Sequence, residues 1–266
     1  MKKFWKFIGE DNKSLTDTYM KIEYKVGETI TIKDCDMNKV QCSNGIHCLD
    51  FTAEKYEYRN ILPGPKVAIL EVEDEDVVYY QENGKCRVRK AKVLEIKEPE
   101  DWMKHGNKNE EWAYSYALDV IQGHDENNYN VILNGENLMW ASYYASEILR
   151  KHDEKIYNAI LKSKNPDVAW DYVSFSLKGK HDEKIYDLLI ESKDLDNLLY
   201  YAEYILGHDE KIYDLVIKDQ NPSRLFDYAI NVLKRHDEKI YNLLLKIKNF
   251  YYIKEYERIF KEEINK

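Results

Sequence analysis

Two thiols and an imidazole fall within seven residues in Cys42-Ser43-Asn44-Gly45-Ile46-His47-Cys48, the chemically densest stretch of the 266-residue chain. Zinc takes about four such ligands. The metal candidates are therefore Cys42, His47 and Cys48, with Cys35 or Cys86 to complete a set, although no Cys-x-x-Cys knuckle is present. A Cys/His nucleophile pair is the alternative, and it would need an orienting group and an oxyanion site. His47 and Cys48 are adjacent, so on a strand they would point to opposite faces. Cys42 paired with His47 across the Asn44-Gly45 turn is the sounder nucleophilic arrangement. The plainer reading packs all these thiols as small apolar groups around a structural turn, and no cofactor is expected.

A second set of histidines is periodic. His-Asp-Glu recurs at His124, His152, His181, His208 and His236, four times as His-Asp-Glu-Lys-Ile-Tyr, at intervals of 28, 29, 27 and 28 residues. Five imidazoles beside carboxylates would suit a metal-lined edge. The same repetition fits a capping turn in which each His bonds backbone, and this second reading is preferred. Chemistry needs one distinct constellation, whereas structure needs the same contact every time.

These motifs sit in two kinds of element. Repeats near 28 residues signal modules too small to hold a core alone, which rest on their neighbours. Each module reads as two short helices. Asp182 and Glu183 suit the positive end of the first helix in one copy, and Ile185, Tyr186, Leu188, Leu189 and Ile190 form its apolar face. The second helix carries Tyr-Ala, as at Tyr116, Tyr144, Tyr201 and Tyr228, with Tyr172-Val173 and Tyr256 filling the slot elsewhere. Gly123, Gly179 and Gly207 mark second-helix ends, where a left-handed cap favours glycine. The stretch from Trp112 to Ile121 has no preceding His-Asp-Glu and reads as a half-unit cap.

Upstream the signals change to strands and turns. Strands are expected at Met20 to Val26, Thr29 to Ile32, Val67 to Val72, and Val77 to Tyr80. Another is expected at Cys86 to Val88 after the Asn83-Gly84 hairpin signal, extended by Ala91 to Ile96. Thr52 to Arg59 reads as a short helix. The expected fold is α+β: a small β-rich domain over 1–98, a polar linker over 99–110, and an all-α helical-repeat solenoid of about five two-helix units over 111–266.

Composition narrows the function. No run approaches the roughly 18 apolar residues of a membrane span, and Met1-Lys2-Lys3-Phe4-Trp5-Lys6 lacks an apolar secretory core. The expectation is a cytoplasmic protein with no membrane partner. Net charge is −9; residues 1–98 hold 17 basic and 18 acidic side chains, which leaves 23 basic and 31 acidic beyond them. A Lys/Arg-poor array is poorly suited to phosphate backbones, so a protein partner is expected and direct nucleic-acid binding is not. The 23 tyrosines serve packing first, and suit a partner surface second.

Glu23-Tyr24-Lys25-Val26-Gly27-Glu28-Thr29, the Cys42 to Cys48 segment and Val67-Ala68-Ile69-Leu70-Glu71-Val72 resemble an uncharacterised domain of phage, prophage and giant-virus proteins. Its wording is approximately Tyr-x-Val-Gly-x-x-Tyr, then Cys-x-x-Gly-Phe-His-x-Cys, then a valine-rich strand. Ile46 replaces the usual Phe. The array is similar to phage repeats of a Tyr-Ala-x-x-Val-Leu-Lys-Gly pattern. The resemblance implies a viral or prophage setting rather than a reaction. It leads to a protein-binding module that docks on a host protein such as a defence nuclease, in the manner of an anti-CRISPR, within the host cytoplasm. A fainter likeness to ADP-ribosyltransferase-like folds would cast Tyr24, His47 and a carboxylate of the Glu71 to Glu75 cluster as an enzyme site.

Overall fold

The computed structural model describes residues 1–15, 21–37, 44–50, 62–80, 84–104 and 109–264. Cys42, Asn83 and the expected helix over 52–59 lie outside them. The chain divides into two compact units, Met1–Trp140 and Ala141–Lys266. Among the described residues an antiparallel sheet comes first, and about twelve helices follow it.

The sheet has seven strands: β1 (Lys2–Ile8), β2 (Thr29–Thr31), β3 (Ile46–Asp50), β4 (Lys66–Val72), β5 (Val77–Tyr80), β6 (Lys85–Val88) and β7 (Lys90–Lys97). Their order across it is β2-β7-β4-β1-β3-β6-β5. β1 lies at the centre because both of its faces are apolar. Phe4 and Ile8 join a core with Tyr24, Ile46, Cys48, Leu70 and Val88. Trp5 and Phe7, on the alternate face, join Leu49, Val67 and Ile69 in a second core.

Several expectations change here. Met20 to Val26 supplies no strand among its described residues; Glu23 makes a single bridge to Lys13, and Tyr24 is buried. Ala91 to Ile96 does not extend β6. Arg89 breaks the chain, donating its N–H to the Asp76 carbonyl and accepting from Ile32, so β6 pairs with β3 and β5 while β7 pairs with β4 and β2. The stretch expected as a linker contains helix α1 (Asp101–Lys104), whose Met103 is fully buried. Trp112 of helix α2 (Glu110–Ser115) donates its indole N–H to the Met103 carbonyl at 2.7 Å. Met103, Trp112 and Tyr116 cover the Trp5/Phe7 face. The first unit therefore runs well past residue 98, because that face of the sheet needs a cover.

Helix α3 (Glu126–Leu133) carries an anomaly. Asn128 occupies the position held by Ile156, Ile185, Ile212 and Ile240 in the other copies, and it is just as buried. Neither polar atom of its amide has a hydrogen-bond partner. An unpaired buried amide costs about 1–3 kcal/mol. Asn128→Ile is expected to raise unfolding stability by about that amount, read from the chemical-denaturation midpoint at unchanged slope.

Ala141–Lys266 repeats one pattern. After α4 (Met139–Tyr143), the first helices are α5 (Glu154–Ser163), α7 (Glu183–Ser192), α9 (Glu210–Asp219) and α11 (Glu238–Ile247). Each opens on an aspartate whose carboxylate accepts a backbone N–H: Asp153 from Ile156, Asp182 from Ile185, Asp209 from Ile212 and Asp237 from Ile240. The second helices include α6 (Pro166–Asp171), α8 (Leu195–Tyr201) and α10 (Pro222–Asp227). Each passes into a wider π-helical turn, over Tyr172–Ser176, Ala202–Leu206 and Tyr228–Leu233. α12 (Phe250–Ile264) closes the chain. Glycine is not required at the second-helix ends: Gly179 and Gly207 have positive φ, but Gln122 rather than Gly123 does so in one copy, as do Arg150 and Lys234 in two others.

Candidate functional site

The periodic histidines are built into a repeated cluster. Nδ1 of His152 lies 3.0 Å from the Tyr172 hydroxyl, twenty residues on. That hydroxyl accepts the Asp153 N–H at 2.9 Å and lies 3.1 Å from the Asp153 carbonyl as donor. Nε2 of His152 meets the Glu154 carboxylate at 3.1 Å. The same set recurs for His181 with Tyr201 at 3.0 Å and His208 with Tyr228 at 3.1 Å; His236 keeps Tyr256 at 3.3 Å, but its Nε2 stands 3.8 Å from Glu238. The next module is tied in by a different tyrosine. Tyr157 donates to Asp182 at 2.8 Å, Tyr186 to Asp209 at 2.9 Å and Tyr213 to Asp237 at 2.9 Å. Lys184, Lys211 and Lys239 lie over the rings of those three tyrosines.

This arrangement is structural. Tyr172, Tyr201, Tyr228 and Tyr256 are fully buried, and burial pushes the Tyr172, Tyr228 and Tyr256 phenols up to about 12. The capping carboxylates of Asp182, Asp209 and Asp237 already serve two donors each. The imidazoles bond a tyrosine hydroxyl and a glutamate rather than the backbone contact expected for them; it is the tyrosine that reaches the backbone. The signal in the sequence was the constant interval of twenty from each of these histidines to its tyrosine.

The sheet does not bring Tyr24 and His47 together with the Glu71 to Glu75 cluster, whose Glu71, Glu73 and Asp74 lie by the start of β1. Tyr24 lies in the Phe4/Ile8 core, where burial raises its phenol far above the ordinary value. Alternation along β3 places His47 with Leu49 on the opposite face, across from Arg87 in register. Glu71 stands opposite Lys3 at the other end of β1. Cys48 faces Cys86 across β3 and β6 in the Tyr24 core. Burial raises the Cys48 thiol to about 12 and drives the Cys86 thiol higher. A metal needs thiolate, which this setting disfavours. Cys35 packs at the margin of that core, half-buried, and burial raises its thiol too. Among the described residues no group of three or more His, Cys, Asp or Glu side chains is placed to hold a metal ion.

Comparison with known proteins decides nothing further. No family model, curated protein or solved structure matches this chain. The sequence signals also passed over Lys6, on the centre strand. Its ammonium donates to the His47 carbonyl at 3.0 Å, and burial lowers it to about 8.

What the second helices display outward is different in kind. Phe175, Tyr200 and Tyr204 are 58%, 48% and 66% exposed. Trp170 stacks on Tyr200 from the neighbouring module, with ring centres 5.9 Å apart and planes 25° off parallel. Tyr200 continues to Tyr204 at 6.3 Å. On the last modules Phe226 meets Tyr252 at 5.3 Å, beside the exposed Phe250 and Tyr251. Among the described residues no helix is long and apolar enough to cross a membrane.

Proposed function

We propose that this chain is a protein-binding module whose helical modules stack as a solenoid, with the second-helix row as its docking platform. The observation that carries this reading is the aromatic run of half-buried Trp170 stacked on exposed Tyr200, which continues to exposed Tyr204. Rigid aromatic side chains supply large contact area at low entropic cost, and they are enriched where proteins meet. The joints between modules, each closed by a tyrosine–aspartate bond, support stacking in one direction. The phage-like resemblance of the head and of the repeats adds the setting: a counter-defence protein that docks on a host protein such as a defence nuclease, in the host cytoplasm.

The test compares the full-length protein with its Tyr200→Ser/Tyr204→Ser double variant in affinity capture from the native host. Both positions are exposed, so the stability loss should be limited to the ring contacts of Tyr200, about 0.5–1.5 kcal/mol. A discrete host protein retained by the parent and lost from the variant is the expected result. Equal capture by both would remove the aromatic row from the account.

A further inference from the structure

The modules differ in charge between their two rows. The first helices α5, α7, α9 and α11 together carry seven basic and eight acidic side chains. The second-helix segments 141–149, 166–176, 195–206 and 222–233 carry one basic side chain, Arg224, against six acidic ones. Arg224 is already engaged, with its Nε 2.9 Å from Asp196 and another guanidinium nitrogen 3.1 Å from Asp219. Three of the other carboxylates, Asp171, Glu203 and Asp227, adjoin the aromatic residues Trp170, Tyr204 and Phe226 along the chain. Asp171 follows Trp170, Glu203 bonds the Tyr204 hydroxyl, and Asp227 lies within electrostatic reach of Glu203.

Asp171, Glu203 and Asp227 are half-buried, and no Lys, Arg or His pairs with any of them among the described residues. Burial raises the carboxyls of Asp171 and Asp227, and the neighbouring charges of Asp167 and Glu203 push in the same direction. Carboxylates held half out of water beside like charges are relieved by an incoming cation. Stacked indole and phenol faces attract the same kind of group, most strongly a guanidinium.

Resting on the protein-binding reading, we infer that the second-helix row around Trp170, Asp171, Tyr200, Glu203, Tyr204 and Asp227 receives a Lys/Arg-bearing protein segment. Guanidinium and ammonium groups pair with the carboxylates, and their stems lie over the rings.

The test uses the full chain and three fluorescent peptides of equal length: one alternating Arg/Lys with Gly/Ser, one with Glu/Asp in the basic positions, and one neutral. The basic peptide is expected to bind at least tenfold more tightly than the other two, and to weaken as salt is raised. Asp171→Asn/Glu203→Gln/Asp227→Asn should cost a further tenfold or more. Asp187→Asn/Glu191→Gln on the first-helix row should leave binding within twofold, which separates this face from general acidity. Equal binding of the three peptides, or an unaffected triple variant, overturns the inference. If the peptides do not discriminate but the Tyr200→Ser/Tyr204→Ser variant still loses its captured host protein, docking stands and the basic partner falls. If capture also persists in that variant, both fall.

Discussion

Tyr201→Ala is expected to destabilise the protein by about 3–5 kcal/mol, the range for deleting a buried aromatic side chain. Tyr201 is fully enclosed, and its hydroxyl is the partner of His181 and of both backbone polar groups of Asp182. Tyr201→Phe separates the two contributions. It keeps the ring and strips the hydroxyl, leaving the Asp182 N–H without its partner at a cost of about 1–3 kcal/mol. The adjacent Tyr200→Ala, on the exposed row, should lose only its ring stacking on Trp170, about 0.5–1.5 kcal/mol. Chemical denaturation of the three variants checks the ranking. If Tyr201→Phe matched the parent, the hydroxyl cluster would be incidental to the joint.

The second large effect concerns where the head ends. A fragment of residues 1–98 should show no cooperative unfolding and poorly dispersed amide resonances, whereas residues 1–140 should keep a sigmoidal transition. Cutting at 98 removes Met103, Trp112 and Tyr116 from the Trp5/Phe7 face. At roughly 1.5–3 kcal/mol for each large side chain returned to water, the loss is on the order of 5–9 kcal/mol. That is comparable to the whole stability of an ordinary domain, about 5–15 kcal/mol. A 1–98 fragment unfolding with the midpoint of the longer one would show that the sheet needs no helical cover.

The same residues explain what could be read in the sequence and what could not. The helical modules announced themselves because one joint, made from His, Asp, Glu and two tyrosines, is rebuilt at each interval. The β5–β6 hairpin was visible through its turn signal and its Val-Val-Tyr-Tyr run. The centre strand was not. Lys-Lys-Phe-Trp-Lys-Phe-Ile buries both faces, so it lacks the alternation of a half-exposed strand, and its lysines look like surface. β3 was obscured by its own thiol and imidazole, which invited a chemical reading of what is a strand in the sheet. Trp102, Met103 and Trp112 were hidden in polar surroundings; only a sheet face lacking a cover makes their burial necessary. In the candidate site the exposed aromatics were legible as tyrosine enrichment, but not which tyrosines turn outward. Tyr200 and Tyr201 are neighbours with opposite fates, set by helix phase alone.

The tyrosine–aspartate joint has a consequence for how such a chain can change. Tyr157, Tyr186 and Tyr213 each present a phenol to the cap of the following module, and every following module offers the same carboxylate. An in-frame gain or loss of one whole internal copy therefore rejoins matching ends, as links are added to or taken from a chain without recutting the others. The terminal position obeys a different rule. Tyr241 finds Glu257 of the closing helix in place of another aspartate. That phenol is thus already satisfied within its own module, and a copy inserted after it would have to win it from Glu257.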